Sequence, residues 1–235
     1  MGQDRLGQEK VVFGVYRAFV CLMPDLSVAR KKPMRTLLLA TTNEHKLIEF
    51  RAIFRALPFQ LLSLRDVHID MDVEEIGTTF AEIALLKARV YAQAANMLAL
   101  ADDSGLEIDA LGGAPGIYSA RFAGRETPYA ERFRVILARL QDVPPPQRTA
   151  RFRCAIALAE PSGYTQVVEG TIEGLIAESP CGEHGFGYDP LFFVPEFGKT
   201  TAEMAPEEKN QISHRGRAAE AARRLLENWP LRSNG

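Results

Sequence analysis

The sequence has little cysteine and little histidine, and neither is arranged like a metal site. Its three cysteines, Cys21, Cys154 and Cys181, lie far apart and show no Cys-x-x-Cys spacing. An odd number of widely spaced cysteines indicates reduced thiols, as in a cytoplasmic protein, rather than a disulfide framework. The four histidines show no ligand spacing either, so a zinc enzyme is disfavoured.

No charge of one sign dominates, and no apolar run is long enough to cross a membrane. The chain has 28 Lys+Arg and 30 Asp+Glu, a formal net charge of −2, so no basic field recruits nucleic acid. The apolar segment 11–23 is short and contains Arg17, so it cannot span a bilayer. A small anionic substrate remains compatible with this composition if positive side chains converge locally.

The first 33 residues do not match the pattern of the rest, whereas a clean strand pattern follows Met34 directly. We expect residues 1–33 to be an extension, either poorly ordered or ahead of a functional start at Met34. We expect residues 34–229 to form one domain. Since 46% of the chain is hydrophobic, it can form a sizeable core.

Hydrophobic periodicity predicts alternating strands and helices, and therefore an α/β fold with a mixed sheet and flanking helices. Strands are predicted at 36–40, 59–64, 150–159 and 165–176, and helices at 44–57, 79–97, 129–140 and 214–227. The last two strands are predicted to pair antiparallel because Pro161-Ser162-Gly163 separates them. A further strand through Asp102-Asp103 is predicted to turn back as a hairpin, with its partner running through Asp109.

The most informative segment is Ala101-Asp102-Asp103-Ser104-Gly105, in which an apolar strand delivers two adjacent carboxylates. Adjacent like charges cost free energy unless a cation lies between them. Hard oxygen ligands of this kind suit Mg²⁺ or Mn²⁺. The same residues also make good turns, so the segment alone is equally compatible with a solvated turn.

Three other segments place cations at helix positions that disfavour a positive charge. Lys46 lies in the first turn of a predicted helix, where the dipole disfavours it unless an anion binds there; the alternative is an Asn43 cap with a solvated lysine. The same conflict recurs at His214 and Arg215, where a solvated basic turn is the alternative. Lys87 falls on an apolar helix face, where it either snorkels or meets a buried anion.

The glycine-rich segment around Phe186 allows two interpretations. Its flanking glycines, Gly185 and Gly187, permit a close backbone approach to a ligand, and Phe186 could then stack on a base. The alternative is a tight turn with a packed aromatic ring. The segment alone does not separate the two.

Five motifs in this order resemble the house-cleaning nucleoside triphosphate pyrophosphatases, the Ham1 or inosine triphosphate pyrophosphatase family. They are Thr41-Thr42-Asn43-x-x-Lys46, Ala101-Asp102-Asp103-Ser104-Gly105-Leu106, Gly112-Gly113-Ala114-Pro115-Gly116-Ile117-Tyr118-Ser119-Ala120-Arg121, Gly185-Phe186-Gly187-Tyr188-Asp189-Pro190 and Ser213-His214-Arg215-Gly216. The resemblance implies hydrolysis of ITP, dITP and XTP to the monophosphate and pyrophosphate, with Mg²⁺ as cofactor and Mn²⁺ as a possible substitute. It also implies two lobes around a central cleft and a homodimer.

The resemblance also assigns roles to individual residues. Glu75 and Asp103 would bind the metal with support from Asp102, and Asp103 would serve as general base. The triphosphate would be held by Thr41, Thr42, Asn43, Glu44, His45 and Lys46, with Lys87 reaching the phosphates and Ser104 contacting substrate. Phe186, Gly187, Tyr188 and Asp189 would line the base and sugar pocket, and a cationic trio of Lys209, His214 and Arg215 would face the 6-oxo group.

The chain departs from the family at Glu82-Ile83-Ala84, where the family usually has Glu-Asn-Ala, so a hydrogen bond from that amide is lost. Three other classes of protein compete with this interpretation. A Maf-like pyrophosphatase acting on modified pyrimidine nucleotides is disfavoured by the Phe186 motif. A non-catalytic nucleotide-binding regulator would lack Glu75, Asp102 and Asp103, which are all present. A nucleic-acid-binding protein is disfavoured by the net charge.

Overall fold

A seven-stranded mixed sheet organises the chain in the computed structural model, which describes residues 35–229. The predicted extension at residues 1–33 lies outside the described residues. The strands are β1 Arg35–Leu39, β2 Phe59–Ser63, β3 Ala99–Ile108, β4 Thr149–Ala159, β5 Thr165–Ile176, β6 Phe192–Val194 and β7 Lys199–Thr200. The α-helices are α1 Glu44–Phe54, α2 Phe80–Ala95, α3 Tyr129–Arg139, α4 Pro206–Ile212 and α5 His214–Glu227.

The strand order is β2-β1-β3-β4-β5-β6-β7, and the sheet changes character at β3. Strands β2, β1 and β3 run parallel, whereas β3 and every later strand pair antiparallel. This confirms the predicted mixed sheet with flanking helices. The division into two lobes stays a prediction.

Most predicted elements are confirmed, with ends shifted by a few residues. Helix α1 ends three residues earlier than predicted, and α2 is capped by the Thr79 side chain and by Asn96 in the left-handed conformation. Strands β4 and β5 form the predicted antiparallel pair. Short elements β6, β7 and α4 were not predicted, because two to seven residues carry too little periodicity.

The predicted hairpin after Asp103 is wrong. Strand β3 continues through the aspartates to Ile108 and pairs with β4 along its whole length. Turn chemistry is overridden here because lysines neutralise both carboxylates, as described below. Gly105 lets the strand pass under a neighbouring loop, since a Cβ there would lie 2.4 Å from the Gly116 carbonyl oxygen.

Successive β3 side chains point to opposite faces of the sheet, so the two aspartates face different helical layers. Leu100 belongs to the core cluster formed with α1 and α5, whereas Ala101 belongs to the cluster formed with α2. By the same alternation, Asp102 faces α1 and α5, and Asp103 faces α2. Ile83 of α2 is fully buried in the position where the family usually has asparagine, so an apolar contact replaces that amide.

Within residues 35–229, no helix is both long and apolar enough to cross a membrane.

Candidate active site

One cleft brings together nearly all the residues that the sequence predicted for the site. Its volume is about 260 Å³, and it is lined by every predicted site residue except Glu44, His45 and Asp102. These residues come from the β1–α1 connection, the start of α1, the β2–α2 connection, α2, β3, the Phe186 loop, α4 and the start of α5. Distant motifs therefore converge on a single site.

The start of α1 combines the Asn43 cap with an ion pair of Lys46, and anion binding at this helix end stays a prediction. Asn43 Oδ1 accepts hydrogen bonds from the backbone N–H groups of His45 (3.0 Å) and Lys46 (3.3 Å). The Lys46 side chain is only 14% exposed, and its Nζ lies 2.8 Å from Asp102 Oδ2. Lys46 is therefore not a solvated lysine.

Asp102 is surrounded by cations on the α1 and α5 side of the sheet. Besides Lys46, its Oδ2 lies 3.6 Å from Arg215 Nε and 3.5 Å from Ser104 Oγ. Burial alone would raise the pKa of Asp102, but Lys46, Arg215 and Lys87 outweigh it and lower the pKa to about 2. Asp102 is thus a permanent anion that holds Lys46 and Arg215 in place.

Asp103 lies on the other side of the sheet, where fewer cations compensate it. Lys87 Nζ is 3.8 Å from Asp103 Oδ1, 3.3 Å from Glu75 Oε1 and 2.9 Å from the Asp102 carbonyl oxygen. Burial raises the pKa of Asp103 to about 6, although Lys87 and Lys46 act in the opposite direction. Lys87 therefore meets a buried anion instead of snorkelling, as one of the two interpretations predicts.

Glu75 completes this side of the cleft and is held by two cations. Its Oε2 lies 2.6 Å from Arg121 Nη1, and its Oε1 contacts Lys87. Burial opposes ionisation, but Lys87 and Arg121 together lower the pKa of Glu75. Glu75 and Asp103 thus share the ammonium group of Lys87, and both residues line the cleft.

The donor set on this side fits a hard divalent cation. Glu75 and Asp103 supply carboxylate oxygens, and Asp103 Oδ2 is buried without a hydrogen-bond partner. Mg²⁺ is commonly bound through one or two carboxylates, with substrate phosphates and water completing its coordination. Over residues 35–229 no group of three or more His, Cys, Asp or Glu side chains is arranged to hold a metal, and the predicted support of the metal by Asp102 stays a prediction.

The opposite end of the cleft is an ionic cluster built around Glu49, which sequence reasoning missed. Glu49 Oε1 lies 2.8 Å from Lys209 Nζ, and Oε2 lies 2.7 Å from Arg215 Nη1. Burial opposes its ionisation, but Arg215 and Lys209 lower the pKa of Glu49. Arg215 Nη2 also donates to Ser104 Oγ at 2.8 Å, which links this cluster to β3.

The Phe186 loop is a tight turn and a cleft wall at the same time. Gly185 has φ +74°, and a Cβ there would lie 2.2 Å from Asp189 Oδ2, so only glycine fits without displacement. Asp189 Oδ2 accepts from the Phe186 N–H at 2.8 Å and from Lys209 Nζ at 2.7 Å. The buried Asp189 thus fixes the loop and orients Lys209.

The Phe186 ring is already in contact with other side chains. The His45 ring stacks on it with a centroid distance of 5.1 Å and an interplanar angle of 12°. Lys209 Nζ and Arg215 Cζ lie 5.0 Å and 5.3 Å from its centroid. His45 therefore contacts the predicted base platform, although it does not line the cleft itself.

The expectation of a cationic His214 is wrong. Its ring is buried and stacks on Phe152 with a centroid distance of 4.6 Å. Burial, followed by the charges of Arg215, Lys209 and Lys46, lowers the pKa of His214 well below its usual value. His214 is therefore not a cation, and Lys209 and Arg215 carry the positive charge at this end of the cleft.

Two functional candidates, Glu49 and Arg121, had only weak sequence signals. Glu49 follows Lys46 by three residues on α1, which places both on one helix face. Arg121 ends a motif that was recognised, but only its contact with Glu75 reveals a role. Both residues form ion pairs with residues that are distant in sequence, and the spacing of residues along the chain does not predict such pairs.

Comparisons with known proteins show what the chain is similar to. Residues 37–225 match the model of the Ham1 family. A dITP/XTP pyrophosphatase from Geobacillus kaustophilus is 51% identical over 83% of this chain and 95% of its own length; one from Bacillus subtilis is 46% identical over 83% and 98%. A Ham1 protein structure from Coxiella burnetii has a TM-score of 0.77 at 42% identity and covers 83% of this chain and all of its own.

Proposed function

This chain belongs to the Ham1 family, and from this premise we propose that it hydrolyses ITP, dITP and XTP to the nucleoside monophosphate and pyrophosphate. Such a hydrolase removes damaged purine nucleotides from the nucleotide pool. One observation carries the proposal: a single cleft combines a carboxylate pair, phosphate-compatible lysines and a cationic cluster beside an aromatic ring. A triphosphate needs the first two features, and a purine with a 6-oxo group suits the third.

Glu75 and Asp103 are the residues that would hold Mg²⁺, or Mn²⁺ in its place. When bound, such an ion neutralises charge on phosphoryl oxygens and lowers the pKa of water. The lysines supply the remaining positive charge, with Lys87 between the two carboxylates and Lys46 at the helix end. Asp102, as the anion that anchors Lys46, supports the metal site from the other face of β3.

Asp103 is the general base in this proposal. In the metal-free protein burial raises the pKa of Asp103 to about 6, so its carboxylate is a stronger base than that of Asp102. Its neighbour Asp102, with a pKa of about 2, is too weak a base for that role. Phosphoryl transfer is otherwise a matter of positioning and electrostatics, which the lysines and the α1 N-terminus provide.

Base selection falls to Lys209 and Arg215. Hypoxanthine and xanthine present an acceptor at position 6, whereas adenine presents an amino donor that would face these cations unpaired. Unpaired buried polar groups discriminate strongly between substrates. Guanine also carries a 6-oxo group, so discrimination against GTP must come from the 2-amino side.

From the same resemblance we propose a homodimer that acts in the cytoplasm on a small-molecule substrate, without nucleic acid or membrane partners. Residues 34–229 would carry the activity, with 1–33 as an extension. Light scattering on the full chain tests the dimer, which should have twice the monomer mass of 26.1 kDa.

The activity is tested by incubating the protein with ITP and, separately, GTP, with and without Mg²⁺, while pyrophosphate is resolved from orthophosphate. We expect metal-dependent pyrophosphate release from ITP and little from GTP. Orthophosphate as the sole product would mean that a different bond is cut. Tight ITP binding without turnover would overturn the enzymatic assignment and favour a nucleotide-binding regulator.

A further inference from the structure

Arg132 of α3 is a buried arginine whose guanidinium stacks on the Tyr129 ring, 4.8 Å from its centroid, and donates its hydrogen bonds to main-chain carbonyls. It is 3% exposed. A guanidinium has five N–H donors in a fixed planar fork. Here they reach five carbonyl oxygens, those of Thr127 (2.9 Å), Ser119 (3.1 Å), Ala120 (2.9 Å), Gly124 (3.1 Å) and Arg125 (3.1 Å).

This arrangement is not an ion pair. Among the residues that the structure describes, 35–229, no carboxylate lies within salt-bridge distance of Arg132. Burying an unpaired charge is expensive unless hydrogen bonds satisfy it. The five carbonyls supply those bonds, and all five belong to one loop, residues 119–127. The side chain therefore fixes the course of that loop.

The loop is tied to the cleft at its first residues. Ser119 Oγ accepts from the Leu106 N–H of β3 at 2.9 Å, and the Ser119 carbonyl accepts from Tyr188 Oη at 2.9 Å. Two residues further, Arg121 Nη1 lies 2.6 Å from Glu75 Oε2. A shift of the loop would therefore move Arg121 away from Glu75 and weaken the hydrogen bond between Ser119 and Leu106 of β3.

We propose that Arg132 is a positioning residue for the hydrolysis: its fork holds residues 119–127 so that Arg121 is kept against Glu75. This inference rests on the proposed function, since Glu75 matters through its place in that reaction. Lysine cannot replace the fork, because an ammonium offers three donors from one point and cannot reach carbonyls spread along nine residues.

The test compares Arg132→Lys with Arg148→Lys as a matched control. Arg148 is also buried and donates from Nε to a backbone carbonyl, that of Val143 at 2.9 Å, but it does not line the cleft. We expect Arg132→Lys to lower kcat/KM for ITP about tenfold, within the range produced by small misplacements of site groups. Arg148→Lys should stay within about twofold of the parent.

A double-mutant cycle separates positioning from general destabilisation. In an Arg121→Gln background, the effect of Arg132→Lys on kcat/KM should shrink to less than about twofold, because the group through which it acts is gone. The same tenfold loss in both backgrounds would overturn the proposal. If Arg132→Lys does not fold, Arg132→Gln, which keeps two N–H donors instead of five, takes its place in the same cycle.

Amide hydrogen exchange of the loop needs no substrate. Residues 119–127 should exchange faster in Arg132→Lys than in the parent or in Arg148→Lys, and unchanged exchange would contradict the proposal. A parent protein that does not hydrolyse ITP would overturn the proposed function alone, and the exchange comparison would then decide the role of Arg132.

Discussion

The two faces of β3 at the cleft each carry one of two adjacent aspartates, but these carboxylates are compensated by different numbers of cations. On the α1 and α5 side, Asp102 and Glu49 are met by Lys46, Arg215 and Lys209 at short distances. On the α2 side, one lysine serves both Asp103 and Glu75, and Arg121 contacts only the latter. Within residues 35–229, each aspartate keeps one buried carboxylate oxygen without a hydrogen-bond partner, so the two sides differ in the number and the distance of the cations that face them.

The pKa values express the same difference. The pKa of Asp102 falls to about 2, because nearby cations outweigh burial, whereas burial raises the pKa of Asp103 to about 6. Strand alternation sends neighbouring carboxylates into different environments, and only one of them becomes suited to proton transfer. The side with more cations is suited to holding groups in place, and the side with fewer cations is suited to a metal and to chemistry.

Of the variants that test this difference, Asp103→Asn is expected to have the largest effect, a loss of turnover. The variant should fold normally but lose turnover about a thousandfold, because general base and metal ligand disappear together. Pyrophosphate release and a thermal melt check the two halves of the prediction. Near-normal turnover would remove Asp103 from the mechanism.

Asp102→Asn should affect stability instead. Removing this buried anion leaves Lys46 and Arg215 undercompensated, and breaking buried pairs of this kind costs about 3 kcal/mol. Urea unfolding at pH 7 measures the loss. Asp103→Asn is the matched control and should not lower the unfolding free energy, because the charged Asp103 opposes folding at pH 7; equal losses in both variants would contradict the difference between the two sides.

Arg215→Ala tests the α1 and α5 side of β3 through the residue proposed to contact the purine base. Sequence alone predicts a larger effect on the KM for ITP than on stability. Because Arg215 is buried between Glu49 and Asp102, we now expect the variant to have a lower unfolding free energy as well as a KM raised about tenfold. Steady-state kinetics and urea unfolding give the two numbers, and an unchanged KM would show that Arg215 does not read the base.

The smallest effect is a difference in pH dependence, measured in metal-free protein. The folded pKa of Asp103 is raised, so its contribution to stability is present below about pH 4 and is lost as pH rises through about 6. The unfolding free energy of the parent should therefore fall by about 1 kcal/mol relative to Asp103→Asn between pH 5 and pH 7.

The Asp102 comparison should be flat over the same interval. Because its folded pKa is lowered to about 2, its contribution is present above about pH 4 and is lost only in stronger acid. A slope for Asp102→Asn between pH 5 and pH 7, or none for Asp103→Asn, would contradict the assignment of the two carboxyl groups.

The sequence predicted the sheet, the long helices and most of the cleft, because these depend on periodicity and on runs of residues. It failed where a contact between distant residues decides the outcome. Turn chemistry favoured a hairpin after Asp103, but Lys46 and Lys87 stabilise an unbroken strand. His214 was expected to be charged, and burial against Phe152 makes it neutral.

The most direct test of the division of labour is the selectivity ratio, kcat/KM for ITP over that for ATP, measured in Asp103→Asn and Arg215→Ala under single-turnover conditions. In Asp103→Asn both rates should fall together and leave the ratio at its parental value, because Asp103 does not contact the base. In Arg215→Ala the ratio itself should fall. A ratio that collapses in Asp103→Asn, or survives in Arg215→Ala, would contradict the account.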